Sequence, residues 1–325
     1  MVCRMILVTG GAGFIGSCLQ AALYAGGQET AVVDRLGTEG KWRNLRHHPP
    51  SLLVNPEDLD DFFATRPPLQ AVMHLGANSS TTASDGDEVW ASNVALSQRL
   101  WNWCTQHEVP FLYASSAATY GDGAAGFDDD MAGLRQLRPL NLYGWSKHAF
   151  DLWAVRQAQA HRAPPRWAGL KFFNVFGPNE YHKGPMVSVV KVKYDEIRAG
   201  RRPTLFRSTD PALADGMQAR DFIAVEDVVA VMLWLLQADV RGLFNLGTGV
   251  ARSYRDLALA VCAATGAAPE IEYVDMPARL RGQYQNHTEA RMERLRAAGY
   301  TAPFASLEQA VARYVARLDA EDAYL

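Results

Sequence analysis

Tyr143 and Lys147 stand four residues apart in the run Tyr143-Gly144-Trp145-Ser146-Lys147, a spacing that puts both side chains on one face of a helix. A free tyrosine titrates near ~10, too high for a base at neutral pH. A neighbouring ammonium stabilises the phenolate, and ~1.4 kcal/mol of such stabilisation makes the phenol a tenfold stronger acid. A phenolate so placed takes a proton from a substrate hydroxyl while hydride leaves the same carbon. A strand-end hydroxyl completes the set, because it can hydrogen-bond the reacting oxygen and orient it. Ser116, in Ser115-Ser116-Ala117-Ala118-Thr119-Tyr120-Gly121, is the candidate.

Hydride chemistry needs a carrier, and the N-terminus offers it a seat. The apolar run 5–9 reads as a strand; Gly10-Gly11-Ala12-Gly13-Phe14-Ile15-Gly16 follows and opens a helix to about residue 25. Gly11, Gly13 and Gly16 satisfy G-x-G-x-x-G, while Gly10, Gly13 and Gly16 satisfy the wider G-x-x-G-x-x-G. Such a turn needs residues free of side chains, so that the backbone can approach a pyrophosphate at the helix N-terminus. Asp34, 18 residues after Gly16 at the end of a second strand, fits a carboxylate that accepts from a ribose hydroxyl. A nicotinamide dinucleotide is therefore the predicted cofactor. Asp34 favours NAD, but Arg35 and Lys41 supply cations that can neutralise a 2′-phosphate, and together they tilt the reading to NADP.

Short strands must position these groups. Candidates fall at 30–34, 51–54, 71–75 and 111–115, and a helix before the last carries Val94, Leu96, Leu100 and Trp103 on a helical repeat. Strands alternating with helices of this length predict an α/β fold with a doubly wound parallel sheet. In the second half, Pro164-Pro165 is read as breaking a helix begun near Leu142. A strand at 169–173, a loop at 174–185, a helix at 186–199 and a strand and turn at 242–249 follow. The predicted organisation is a dinucleotide-binding lobe over 1–173, with a returning segment around 220–250. A smaller, interleaved substrate-binding lobe takes 174–219 and 251–325.

Bulk properties exclude other classes. With 48% hydrophobic residues, 21% charged and a net charge of −3, the 325-residue chain has a core but no basic footprint for nucleic acid or membrane. Cys3, Cys18, Cys104 and Cys262 form no CxxC pair, which fits a reducing compartment. No signal-peptide pattern and no run of ~20 apolar residues is present, so a cytoplasmic protein is expected. His47-His48 lacks spaced partners, and no metal site is predicted.

The glycine loop, Ser116, Tyr143-x-x-x-Lys147, Asn174-Val175-Phe176-Gly177-Pro178, Arg220-Asp221-Phe222 and Phe244-Asn245-Leu246-Gly247-Thr248-Gly249 together resemble extended short-chain dehydrogenases acting on sugar nucleotides. Gly76-Ala77-Asn78-Ser79-Ser80-Thr81-Thr82, His182-Lys183-Gly184 and Leu295-Arg296-Ala297-Ala298-Gly299-Tyr300 narrow the resemblance to the ADP-L-glycero-D-manno-heptose 6-epimerase family. That resemblance implies a homo-oligomer that inverts C6 of an ADP-linked heptose through a transient ketone, usually with NADP. It implies Tyr143 and Lys183 as the two acid/base groups. Cofactor contacts are implied at Phe14, Ile15, Asp34, Arg35, Lys41, Leu75, Gly76, Ala77, Asn78, Ser79, Asn93, Lys147 and Val175. Substrate contacts are implied at Ser79, Ser80, Thr81, Asn174, Phe206, Arg207, Ser208, Thr209, Arg220 and Tyr284. Arg220 would clamp a diphosphate bidentately.

The sequence departs from the family at Leu75 and Asn78, at Pro56, Pro185 and Val192, and in an insertion over 211–217. A related sugar nucleotide is therefore an alternative substrate, and a simple reductase an alternative activity. A dehydratase would need acids where Ala117 and Ala118 stand, and a non-catalytic dinucleotide sensor would not need Ser116, Tyr143 and Lys147 together.

Overall fold

Strands buried at every position, such as Thr30–Val33, are covered on both faces, as in the interior of a parallel sheet with helices on either side. The computed structural model, which describes residues 4–277 and 285–325, bears this out. Its first half runs β1 (Met5–Thr9), α1 (Phe14–Ala25), β2 (Thr30–Val33), β3 (Leu52–Val54), α2 (Leu59–Ala64), β4 (Leu69–His74), α3 (Gly86–Trp90), α4 (Leu96–Gln106), β5 (Phe111–Ser116), α5 (Leu142–Gln159) and β6 (Trp167–Phe172). The second half runs β7 (Asn174–Phe176), α6 (Val189–Arg198), β8 (Thr204–Phe206), β9 (Ala219–Ala224), α7 (Val225–Leu235), β10 (Arg241–Leu246), β11 (Ala251–Ser253), α8 (Tyr254–Thr265), β12 (Glu272–Val274), α9 (Glu293–Ala297) and α10 (Leu307–Leu318).

Seven parallel strands form the main sheet in the order β10-β6-β5-β4-β1-β2-β3. The chain winds outward from β1 through β2 to β3, then returns to β4 and winds the other way, so the order reverses between β1 and β4. A parallel sheet binds ligands at that reversal, beyond the strands' carboxyl ends.

A second core gathers Phe176, Val190, Phe222, Leu257, Val261, Val311 and Tyr314. Its small sheet has the order β11-β9-β7, so residues 174–176, read from the sequence as loop, are a strand parallel to β9. Helix α6 starts at Val189 rather than 186, capped by Ser188. Helix α5 stops at Gln159, ahead of Pro164-Pro165, so the prolines do not end it. Ala290, Met292, Leu295 and Tyr300, assigned from the sequence to the second lobe, pack into the larger core.

One buried ion pair fixes α5 on the sheet. Asp151 accepts hydrogen bonds from Tyr113 (2.9 Å), Ser115 (2.7 Å) and Lys171 (2.8 Å), and Lys171 also donates to Thr119 (2.7 Å). Asp151 and Lys171 are both wholly buried. Such a pair is tolerated in a core only when its remaining polar valences are filled, as they are here. It sits one helical turn beyond Lys147 on the same face of α5.

Candidate active site

The loops after β1 and β4 touch at the strand-order reversal. A methyl group on Gly10 would lie 2.6 Å from the Gly76 nitrogen, so glycine is required for their approach. Above them opens a cleft of about 510 Å³. Its wall takes Gly10, Gly13, Phe14, Ile15 and Gly16 from the first loop and Leu75, Gly76, Ala77, Ser79 and Thr81 from the second. Asp34, Lys41, Ser116, Tyr143, Lys147, Asn174, Val175 and Lys183 also line it, and Phe222 and Leu257 bring in the second lobe.

The loop fits a pyrophosphate. Gly13 caps α1 without a side-chain hydrogen bond, and the first turn holds no acidic residue. The helix N-terminus therefore keeps its positive end and spare amides for an anion. Asp34 accepts from the Ala12 amide at 2.9 Å through one oxygen and from Lys41 at 2.5 Å through the other.

Tyr143 reaches Ser116 because α5 begins where it does. The Asn141 side chain accepts from the Gly144 amide (2.8 Å) and starts the helix one residue before Tyr143. A methyl on Gly144 would lie 2.6 Å from the Ala118 carbonyl oxygen, so glycine lets this first turn press against the end of β5. Lys147 donates to the Ala114 carbonyl at 2.8 Å. Burial lowers its pKa to about 8, with Asp151 opposing. Burial raises the Tyr143 phenol above its ordinary value, and a hydrogen bond with Ser116 only partly offsets this. Asp151 raises it further, so in the chain by itself the phenol is raised rather than lowered and starts protonated, ready to donate.

Lys183 arrives from a different element, the turn Tyr181–Met186. Its ammonium lies 5.2 Å from the centre of the Phe14 ring, and burial lowers its pKa while Glu180 opposes. A partly desolvated ammonium of this kind gives up its proton more readily than a free lysine does.

Several expected contacts lie elsewhere. Gly11 turns to β2, where a methyl would meet the Val32 side chain. Arg35 is exposed and pairs with Glu57. Asn78 directs its side chain to Glu88 and the Ser80 amide, and Ser80 bonds Thr82. Asn93 is buried in the π-helical turn Ala91–Ala95; its side-chain amide bonds the backbone N–H and carbonyl of Asn78 and the Ser146 hydroxyl, supporting the loop from beneath. Phe206, Arg207, Ser208 and Thr209, around the end of β8, are not in the cleft wall. Arg207 faces Asp215 and Asp275, and Asp215 accepts from the Ser208 amide, so the 211–217 insertion folds onto this strand end. Arg220 is buried, donates to the carbonyls of Ala219 and Gln285, and lies over the Tyr254 ring. Tyr284 and Cys3 lie outside the described residues.

Other residues were not foreseen. Asn44 is buried, with its amide nitrogen 2.9 Å from the Ala12 carbonyl, 3.1 Å from that of Asn179 and 3.2 Å from His182 Nδ1. It ties the glycine loop to the segment carrying Lys183. His74 belongs to a directed chain: the Gly76 amide donates to Thr9 Oγ1, which lies 2.6 Å from His74 Nδ1; His74 Nε2 lies 2.8 Å from Ser97 Oγ, which donates to the Asn93 carbonyl. Filling these valences puts the ring proton on Nε2 and leaves Nδ1 to accept. Burial drives the His74 pKa down to about 3, so the ring is neutral.

Several known proteins resemble this chain over nearly all of its length. The NAD dependent epimerase/dehydratase family model matches residues 6–247. A protein of Nitratidesulfovibrio vulgaris named ADP-L-glycero-D-manno-heptose-6-epimerase is 47% identical over 99% of this chain and 100% of its own length. A Fusobacterium nucleatum protein of the same name is 41% identical over the same shares. Among solved structures, the Helicobacter pylori ADP-L-glycero-D-manno-heptose-6-epimerase superposes with a TM-score of 0.81 at 26% identity, covering 98% of this chain and 97% of that one. The Thermus thermophilus UDP-glucose 4-epimerase, solved with NAD, gives 0.76 at 27% identity over 96% and 98%. With matches of this extent in both sequence and structure, the chain belongs to the NAD dependent epimerase/dehydratase family.

Proposed function

We propose that the chain converts ADP-D-glycero-D-manno-heptose to ADP-L-glycero-D-manno-heptose by inverting C6. The observation that carries this reading is one cleft that holds a dinucleotide loop, a Ser116–Tyr143–Lys147 set and a second ionisable group, Lys183, from a separate element. Relatives of that name, matching over the full chain, supply the substrate.

A bound nicotinamide would supply reversible hydride transfer. The chain's residues handle everything else. Ser116 orients the C6 oxygen toward the Tyr143 phenol. Tyr143 and Lys183 exchange the hydroxyl proton, one for each face of the carbon, because a single fixed hydride site inverts a centre only if the transient ketone turns between two proton donors. Lys147 keeps a positive charge beside the phenol and is itself held by the Ala114 carbonyl. The free amides at the N-terminus of α1 would hold a pyrophosphate. We assign NADP as the preferred cofactor, since Lys41 lines the cleft and is drawn to Asp34; a 2′-phosphate would give its ammonium a second anion. The active form is a homo-oligomer.

The test uses ADP-D-glycero-D-manno-heptose deuterated at C6. Redox inversion gives the L-glycero product with deuterium retained, read by NMR and mass spectrometry. Loss of the label to solvent, or bound cofactor with no inversion, overturns the proposal.

A further inference from the structure

Lys183 rides on residues 180–188, a stretch with neither a long helix nor a sheet to hold it. Both ends of the stretch meet at one carboxylate. Glu180 is completely buried. It accepts from the Ser188 amide at 2.5 Å, from the Ser188 hydroxyl at 2.6 Å and from the Tyr314 hydroxyl at 2.8 Å. Its own carbonyl accepts from the Lys183 amide at 3.1 Å. Ser188 in turn caps α6, and Tyr314 belongs to α10, so the carboxylate links the loop to two helices of the second core. Glu180 is not in the cleft wall, whereas Lys183 and Ser188 are.

We infer that Glu180 is the positioning residue of Lys183: it closes the 180–188 loop on itself and sets the charge behind the ammonium without touching substrate. The inference rests on the proposed acid/base role of Lys183. A carboxylate is not needed merely to fill this space, because burying one costs free energy that a neutral acceptor would avoid. What the charge adds is an anion beside a desolvated ammonium that, among the described residues, makes no hydrogen bond or ion pair and has only the Phe14 ring as a partner. Burial raises the Glu180 pKa, while the two Ser188 bonds, Lys183 and then Tyr314 pull it back. Cys18 from α1, Tyr181 from the loop and Tyr314 from α10 also feel this carboxylate. Lys41 and Asp34, which pair with each other, face the neighbouring His182.

The experiment compares pH–kcat profiles, KM and thermal melts for the full chain and five variants, Lys183→Ala, Glu180→Gln, Glu180→Asp, Ser188→Ala and Tyr314→Phe, with the sugar nucleotide above. The limb that disappears in Lys183→Ala belongs to Lys183. In Glu180→Gln the acceptor oxygen stays and the charge goes, so that limb moves to lower pH by about one pH unit, with KM within about twofold. Glu180→Asp restores the limb, and also serves if the Gln variant does not fold. Ser188→Ala and Tyr314→Phe lower the melting temperature and leave the limb in place. A limb that survives Lys183→Ala overturns the role of Lys183 and that of Glu180 with it. A limb lost in Lys183→Ala yet unmoved in Glu180→Gln overturns the Glu180 inference alone.

Discussion

Tyr143 and Lys183 reach the same cleft by opposite constructions. Tyr143 stands in the first turn of an 18-residue helix, pinned to the central strands by the Asp151–Lys171 pair and pressed against the end of β5 at Gly144. Lys183 stands on a short turn, held by its own Glu180 and by side chains from distant elements, Tyr314 and Asn44. The first corner is rigid because regular backbone fixes it. The second is held by hydrogen bonds from side chains rather than by regular backbone.

The sharpest way to break that contrast is to remove each group in turn. Tyr143→Phe deletes one oxygen from a site whose packing does not depend on it. The expected loss in kcat is about 10²–10⁴-fold, with an unchanged melt and undiminished cofactor binding by fluorescence. Lys183→Ala is expected to lose inversion by a smaller factor, about 10²-fold, while still reducing bound cofactor in a single turnover. Equal losses in both reactions would mean the two corners are not separate proton stations.

Rigidity itself can be tested at Gly144. Alanine there would place a methyl 2.6 Å from the Ala118 carbonyl oxygen, a backbone atom that cannot swing away. The helix must shift, at a cost of about 1–3 kcal/mol, and Tyr143 must move off Ser116. A denaturant melt should show the destabilisation and kcat should fall with it. Normal stability with normal kcat would show that the first corner is as adaptable as the second.

How far the sequence spoke follows the same division. The glycine loop, Asp34, Ser116, Tyr143 and Lys147 were legible because each is a local pattern tied to one strand end or one helix face. Lys183 came only through the family resemblance, since the carboxylate three residues before it acts through partners, Ser188 and Tyr314, that no local pattern announces. Glu180 and Asn44 were missed because their partners lie far along the chain; Tyr314 is 134 residues from Glu180. Arg35 was legible as a cation beside Asp34 and Asn93 came only through the resemblance; their partners, Glu57 and Asn78, were not foreseen. The strands β7, β8, β11 and β12 span three residues each, too few to show a period of two. Asn93 sits in a π turn, a feature with no sequence period and one that recurs at functional sites.

His74 offers a subtler probe of the rigid corner. Its folded pKa, about 3, lies below the ordinary histidine value of 6.5. Below pH 6.5 the unfolded chain binds a proton that the folded chain refuses, so stability is full above that pH and drains away as pH falls toward about 3. His74→Gln removes this drain. Denaturant melts across that range should be flatter for the variant, while above pH 6.5 it should be less stable than the parent, having lost the ordered chain from Gly76 to Asn93. A parallel slope in both proteins would place the acid sensitivity elsewhere.

The smallest expected effects distinguish two neighbouring cations that the sequence treats alike. Arg35 is more than two-thirds exposed and pairs with an exposed Glu57, and surface pairs of this kind contribute about 0–1 kcal/mol. Lys41 is largely covered, lines the cleft and holds Asp34. Lys41→Ala should therefore weaken NADP binding about tenfold and NAD binding far less, since only the former carries the extra phosphate. Arg35→Ala should leave both affinities within about twofold, because its guanidinium already has an anion outside the cleft. Titration calorimetry with the two dinucleotides separates these outcomes. If Arg35→Ala proves the more damaging for NADP, Arg35 must leave Glu57 when the phosphate arrives, and this edge of the rigid corner is the part that rearranges.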